Sequence, residues 1–228
     1  MVKYWGTLAL LLGCAATVTA VAGTAAPYAQ RAPLARYLAP SPRDEIALAR
    51  SAAPPAIAHD AEVLTLGPKG YEQAVSGKSR FVCLVLRSWA NNFDSPDFWN
   101  PRVRAPHCFN GPAARSVLPT YLQRTEWALS GVTREEMLRR TRAALARHEI
   151  RPPKTGAMVY MMSRDGYLGD DVHGPWHPHV MFYLPRTAPA AWGANVEGSP
   201  VLGDSSALEP VTVFVVPVPH WSDGTSDR

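Results

Sequence analysis

The sequence predicts an α+β fold: a mainly antiparallel sheet with two or three helices packed on it and long loops rich in proline and glycine. Three observations indicate this class. Segments typical of strands lie on both sides of a central helical region instead of alternating with helices. Hydrophobic residues make up 46% of the chain, enough for a sizeable core. The 22 prolines are about twice the average usage, which favours irregular loops.

The first helix is predicted from its N-terminal cap. Ser41 is a favoured capping residue, and Pro42 suits the first helical position. The carboxylate of Asp44 can meet the unpaired backbone amides of the first turn. Residues 54–55 are both proline, so the helix is expected to end near Ala52.

Two strands and a short helical segment are predicted next. Alternating apolar and polar residues indicate a short strand over 61–66, closed by a turn at 67–68. Residues 70–76 are expected to form one or two helical turns. The segment 80–86 is apolar at nearly every position, which predicts a strand covered on both faces and therefore central.

The middle of the chain is predicted as a long loop followed by two helices. Residues 89–112 show no sustained periodicity, and so long a loop within a domain is usually functional or tied down. A helix is expected over 110–129, kinked or divided at Pro119. Thr133 with a glutamate three residues later forms a capping box, which predicts a second helix over 134–148.

The last third of the chain is predicted to hold strands separated by two irregular loops. The loops, 164–178 and 185–210, are rich in glycine and proline. The strands are expected at 157–163, 180–184 and 211–216.

The first 22 residues have the layout of a secretory signal peptide. Lys3 provides a positive start, residues 4–19 are almost wholly apolar or small, and 20–22 form a small-residue cleavage site. The apolar part is too short for an ordinary membrane span, so we expect no transmembrane span in the mature chain. The protein is therefore expected to be periplasmic or secreted.

Cys14 allows a competing interpretation of the N-terminus. Residues 11–14 resemble a bacterial lipobox, in which Cys14 would carry a lipid anchor and the protein would be a membrane-anchored lipoprotein. The stretch before Cys14 is short and the apolar run continues past it, so cleavage near Ala22 is favoured. Both interpretations predict export.

The exported chain is expected to comprise an Ala- and Pro-rich segment with a short helix over 23–55 and one globular α+β domain over 56–228. Loss of Lys3 with the signal peptide leaves 22 basic and 19 acidic residues, a net charge of +3. This charge is too small and too dispersed for nucleic-acid binding, and export argues against nucleic acid further.

Two cysteines remain after the signal peptide is removed. In an oxidising compartment an isolated pair is expected to form a disulfide, here between Cys83 and Cys108. Such a bond would tie the predicted long loop to the central strand. The alternative is that Cys108, beside His107, is a metal ligand or a nucleophile.

Three of the seven histidines lie within seven positions, directly before a predicted strand. In an extended segment alternate residues point to the same side, so His177 and His179 can converge on one ion. Imidazole and carboxylate groups suit zinc, iron or copper, and His107 or His220 could supply a further ligand. The predicted ligands of a transition metal such as zinc are Asp171, His173, His177 and His179.

Two other interpretations of this histidine cluster stay open. In the first, the histidines are edge residues bonded to loop carbonyls, since a His-x-His pair is weak evidence for a metal. In the second, His177 or His179 acts as a base that Asp171 orients. The carboxylate of a cupin-like pattern is absent, because the next acid after His179 is Glu197.

Aromatic residues of the predicted long loop also allow two interpretations. Trp89, Phe93, Phe98 and Trp99 either line an apolar ligand site or pin the loop onto the sheet, and pinning is favoured. Glu126, on the first central helix, is expected to face solvent rather than a cleft.

Five segments resemble those of a group of uncharacterised exported bacterial proteins. The segments are FVCLV at 81–85, FWNP at 98–101, PHCFN at 106–110, WHPHVMFY at 176–183 and WGAN at 192–195. The resemblance covers about residues 56–225 and implies export in a bacterium and one intact domain. It implies no catalytic residue and no substrate, because the group has no assigned activity.

The sequence favours a ligand- or partner-binding module of the cell envelope. The alternative is a metal-dependent enzyme, a hydrolase or an oxidoreductase, that uses His173, His177 and His179. The chain contains no Gly-x-Ser-x-Gly elbow and no Gly-x-x-x-x-Gly-Lys loop, so neither a serine hydrolase nor a nucleotide site is indicated. Whether the protein is an enzyme is left open.

Overall fold

The computed structural model describes residues 27–170 and 177–227, and in these residues eight strands form one sheet. The strands are β1 Glu62–Gly67, β2 Gly70–Val75, β3 Val82–Leu86, β4 Ala105–Phe109, β5 Met158–Met161, β6 His179–Pro185, β7 Leu202–Ser205 and β8 Val211–Pro217. Their order across the sheet is β2-β1-β3-β4-β5-β6-β8-β7. All neighbours are antiparallel except β1 and β3, so the predicted α+β class is confirmed.

Five α-helices lie in the same described residues. They are α1 Pro42–Arg50, α2 Pro55–Ala58, α3 Gly111–Ser116, α4 Leu118–Leu129 and α5 Arg134–Ala146. The Ser41 side chain accepts a hydrogen bond from the backbone N–H of Asp44, and Thr133 caps α5 in the same way. The expected division of the middle helix is also confirmed, because the helix is interrupted at Val117, two residues before Pro119.

The prediction of helical turns over residues 70–76 is wrong, because this segment forms β2. Gly67 pairs with Gly70 across a two-residue turn. Gly70 has a φ of 131°, a backbone conformation that residues other than glycine rarely adopt. Backbone pairing with β1 therefore outweighs the weak local preference of these residues.

The two loops predicted over 89–112 and 185–210 each contain a strand that the sequence did not reveal. Strand β4 lies in the middle of the sheet and all five of its residues are buried. Pro106 stands opposite Val85 in the pairing of β4 with β3. Strand β7 lies at one edge and pairs only with β8 among the described strands.

The strands β1, β3 and β4 are covered on both faces, and neighbouring residues of β3 point into different cores. Cys83 packs in the core under α1, whereas Leu84 packs in the core under α3 and α4. A third cluster joins the long loop to the N-terminal segment and to Met137 of α5. This layering is why β3 is apolar at every position.

A buried ion pair holds the N-terminal segment against the sheet. Nη2 of Arg87, directly after β3, donates to both carboxylate oxygens of Glu45 in α1, at 2.8 and 2.7 Å. Nε of Arg87 donates to the backbone carbonyl of Tyr37 at 2.7 Å. The Arg104 side chain donates to the carbonyls of Arg36 and Leu38, so residues before α1 are bonded to the same sheet.

The Cys83–Cys108 disulfide is present and joins two neighbouring strands. The two residues stand directly opposite each other in the β3–β4 pair, with their Cα atoms 4.0 Å apart. The bond therefore links strand to strand, and the expected link from a loop to a strand is wrong because Cys108 belongs to β4. No helix among the described residues is long and apolar enough to span a bilayer.

Candidate functional site

Half of the predicted metal ligands fall outside the described residues. Asp171 and His173 lie outside the residues that the structure describes, and so does the possible lipidation site Cys14. His177 is half-exposed, and its Nδ1 is 2.7 Å from a carboxylate oxygen of Asp227. Within residues 27–170 and 177–227, no three His, Cys, Asp or Glu side chains are placed to hold a metal ion. The metal site stays a prediction, because the structure describes only part of the proposed ligand set.

His179 and His107 lie on the same face of the sheet, the face that α3 and α4 cover. His179 stands opposite Met161 and His107 opposite Leu84, and both partners belong to the core on that face. Nδ1 of His107 bonds the carbonyl of Ala105 at 2.8 Å, and Nδ1 of His179 bonds the carbonyl of His177 at 2.9 Å. A carbonyl oxygen only accepts, so Nδ1 carries the proton in both rings.

Burial keeps these two imidazoles neutral at pH 7. It lowers the pKa of His107 to about 4 and also lowers the pKa of His179. The lone pair of each ring is therefore on Nε2, the nitrogen that would bind a metal or accept a proton. Cys108 is bonded to Cys83, so in this oxidised state it is neither a thiolate ligand nor a nucleophile.

The aromatic residues of the long loop divide between two roles. Trp89, Phe98 and Trp99 are buried in the core cluster that contains Tyr37, so they pin the loop. Phe93 packs against the same cluster, stacked on Phe98, and in addition lines a cleft. Glu126 is exposed and accepts a hydrogen bond from Gln123, as expected of a solvent-facing residue.

A cleft of about 520 Å³, which the sequence did not predict, is a candidate site among the described residues. It lies between α4, α5 with the segment that follows it, the loop before Asp94 and the turn 205–210. We call it the Arg124 cleft, after its most buried charged residue. Its apolar walls include Val117, Leu138, Ile150, Leu208, Val211 and Val213.

Arg124 is only 7% exposed, and most of its guanidinium is held in place. Nη1 donates to the carbonyls of Ala90 and Asn91, and the guanidinium lies over the ring of Phe93 at 4.4 Å. Nη2 donates to one carboxylate oxygen of Glu209 at 2.7 Å. Nε is buried and has no partner among the described residues, which costs roughly 1–3 kcal/mol.

Two tyrosines and a balanced set of charges are among the other polar groups of the Arg124 cleft. Burial raises the pKa of Tyr121 and raises that of Tyr183 well above its ordinary value, so both phenols stay neutral. The charged residues that line the cleft are Arg124, Arg142, Arg151, Asp94, Asp204 and Glu209. Because the two signs are equal in number, net charge does not select a ligand, and the arrangement of individual groups does.

One signal in the sequence points to this cleft. Arg124 follows Val117 and Tyr121 and precedes Ala128 at spacings of three and four, so it lies on the stripe that α4 buries. An arginine on an apolar stripe is uncommon without a partner or a role. Its companion Glu209 is far away in sequence and carries no comparable signal.

The histidine pair and the Arg124 cleft adjoin each other through Tyr121. The ring of His107 is 6.5 Å from that of Tyr121, which lines the cleft. The lining residues named above lie in the described part of the chain, whereas the predicted metal ligands are described only in part. Comparison of the chain with family models, with curated proteins and with solved structures finds no match.

Proposed function

We propose that the protein is an exported ligand-binding module that holds a small molecule in the Arg124 cleft. The cleft itself carries the proposal: its volume falls within the 300–1,000 Å³ that is typical of small-molecule sites. Mainly apolar walls with a few fixed polar groups are the usual composition of such sites. A ligand of moderate size, with an apolar body, suits this site.

Two features support export to the periplasm or the exterior. Residues 1–22 have the pattern of a signal peptide. The Cys83–Cys108 disulfide is of a kind that persists mainly in oxidising compartments. The proposed setting is therefore the bacterial cell envelope.

Titration with 8-anilinonaphthalene-1-sulfonate, an amphipathic anionic dye that fluoresces when its aromatic rings are shielded from water, tests the proposed site. We expect saturable binding, weakened about tenfold or more in Ala207→Trp, because an indole there fills part of a cleft that buries most of its ligand. Ala74→Trp, at an exposed position of β2 at the far end of the sheet, is the matched control. Equal dye affinity in the two variants would refute the cleft as the binding site.

A metal-dependent enzyme is the second candidate, a hydrolase or an oxidoreductase that uses His173, His177 and His179. The orientation of His179, and of His107 as a possible further ligand, favours it, because metal-binding histidines commonly have Nδ1 bonded to a carbonyl in this way. A metal bound beside them would supply Lewis acidity or redox chemistry.

Elemental mass spectrometry of protein exported by a bacterial host tests this candidate. About one equivalent of a transition metal is expected, and His177→Ala/His179→Ala should lose it. The double variant of two exposed histidines, His59→Ala/His148→Ala, is the control and should retain it. Absence of metal in the wild-type protein would contradict the metal-dependent enzyme as a candidate function.

A further inference from the structure

The guanidinium of Arg124 is rigidly placed in the cleft. Two backbone carbonyls hold Nη1, and the ring of Phe93 lies against one face of the group. These contacts fix the plane of the guanidinium, so a bound anion would meet donors already oriented.

One edge of this guanidinium is only half used. Nη2 bonds a single oxygen of Glu209, and Nε on the same edge is buried without a partner in the described residues. A carboxylate placed squarely on this edge accepts two parallel hydrogen bonds, one from each nitrogen. The edge therefore matches a planar group with two oxygens better than it matches Glu209 as it now lies.

Glu209 can withdraw its side chain without unfolding the turn that carries it. Its backbone carbonyl accepts a hydrogen bond from Arg186 at 2.7 Å, and its backbone N–H donates to Oγ of Ser206 at 2.9 Å. Its side chain keeps 20% exposure, whereas that of Arg124 has 8%. The carboxylate of Glu209 is thus the movable partner of the pair, and Arg124 is the fixed one.

We propose that the ligand of the cleft is an amphipathic carboxylate, whose acid group replaces that of Glu209 on the Nε–Nη2 edge of Arg124. The apolar body of the ligand lies against Tyr121, Leu138 and Val213. Without ligand, Glu209 neutralises the buried cation. This inference rests on the proposed function and adds the chemical class of the ligand to it.

Isothermal titration calorimetry at pH 7 with 4-phenylbutyrate and its uncharged amide, 4-phenylbutyramide, tests the inference. Wild-type protein should bind the carboxylate about tenfold or more tightly than the amide, because two charge-assisted bonds distinguish them. Arg124→Lys keeps the positive charge but removes Nε–H and the planar edge, so this preference should decrease. Unchanged binding of the amide by the variant would show that its cleft is intact.

A second variant tests the displacement of Glu209. Glu209→Gln should raise the affinity for 4-phenylbutyrate several-fold, because a neutral amide competes weakly for Arg124, and it should not raise the affinity for the amide probe. Glu72→Gln, an exposed acid on β2, is the matched control and should change neither affinity. If Glu209→Gln and Glu72→Gln bind 4-phenylbutyrate with the same affinity, the proposal that the ligand displaces the Glu209 carboxylate is wrong.

Different experimental results would overturn this inference and the proposed function. Equal wild-type affinity for the two probes overturns the carboxylate class and leaves the cleft as a binding site. Absence of binding by both probes, while the dye still binds in an Ala207-dependent way, also overturns the carboxylate class. Absence of dye binding as well overturns the proposed function itself.

Discussion

Buried polar side chains in this protein are satisfied to different degrees. Arg87 is fully buried and its guanidinium has partners on all three nitrogens. Arg124 is nearly as buried, yet one of its nitrogens has no partner in the described part of the chain. His107 avoids the cost of a buried charge by staying neutral. The incompletely satisfied Arg124 lines the cleft, whereas Arg87 lies in the core between α1 and the sheet.

The free energy of unfolding should decrease as the pH falls from 6.5 to about 4, because of His107. Burial holds the pKa of this residue at about 4 in the folded protein, against an ordinary value of 6.5. Between these values the unfolded chain binds more protons, so acid favours unfolding. The stabilisation is complete above pH 6.5, and about 3 kcal/mol is lost by pH 4, as measured by urea unfolding.

Two variants isolate this effect of His107. His107→Gln cannot take up the proton, so the slope between pH 6.5 and 4 should decrease, leaving the part from His179, whose pKa burial also lowers. His59→Gln replaces a histidine whose side chain is 81% exposed and should keep the wild-type slope. Identical slopes in both variants would contradict the assignment to His107.

At the scale of elements, the helix starts that a cap sets were predicted correctly, whereas β2 and β4 were missed. The caps Ser41 and Thr133 act within four residues, so α1 and α5 begin where the sequence predicts. Strand β2 exists because it pairs with β1, a partner that local preference does not include. Strand β4 contains Pro106, which provides no backbone N–H, and it is held between β3 and β5 by contacts with both.

Loss of the disulfide should destabilise the pair of strands that it joins. Cys83→Ala/Cys108→Ala should lower the free energy of unfolding by about 2–4 kcal/mol, because the unfolded chain regains the freedom of the closed loop. Denaturant unfolding with and without a thiol reductant is the measurement. Reductant should destabilise the wild-type protein and leave the double variant unchanged; an equal response of the two proteins would refute this role.

At the scale of the whole molecule, the cleft joins parts of the chain that are distant in sequence. Its walls come from the loop before Asp94, from α4, from α5 with the segment that follows it and from the turn that carries Glu209. The sheet brings these parts together because β6 and β8 are neighbours, with β7 returning outside them. A ligand in this cleft would therefore contact several elements at once and stabilise the folded protein as a whole.

The state of the N-terminus is a prediction about the whole exported molecule. Cleavage after Ala22 should leave Gly23 as the first residue, which mass spectrometry of protein exported by a bacterial host would measure directly. An Ala22→Arg variant should be processed poorly, because the cleavage site needs small residues, whereas Gln30→Arg, beyond it, should be processed normally. A chain that begins with a lipid-modified Cys14 would contradict this expectation.

The sequence by itself determined the α+β class, the starts of α1 and α5, the central position of β3 and the pairing of Cys83 with Cys108. These features depend on helix caps and hydrophobic periodicity, which act over short distances, and on the number of cysteines, which leaves a single possible pair after the signal peptide is removed. The sequence also predicts His177 and His179 as metal ligands, and this role stays a prediction. Only the tertiary structure decided β4 and the Arg124 cleft. The pairing of Arg124 with Glu209 depends on how the sheet folds back, and no local pattern in the chain records that contact.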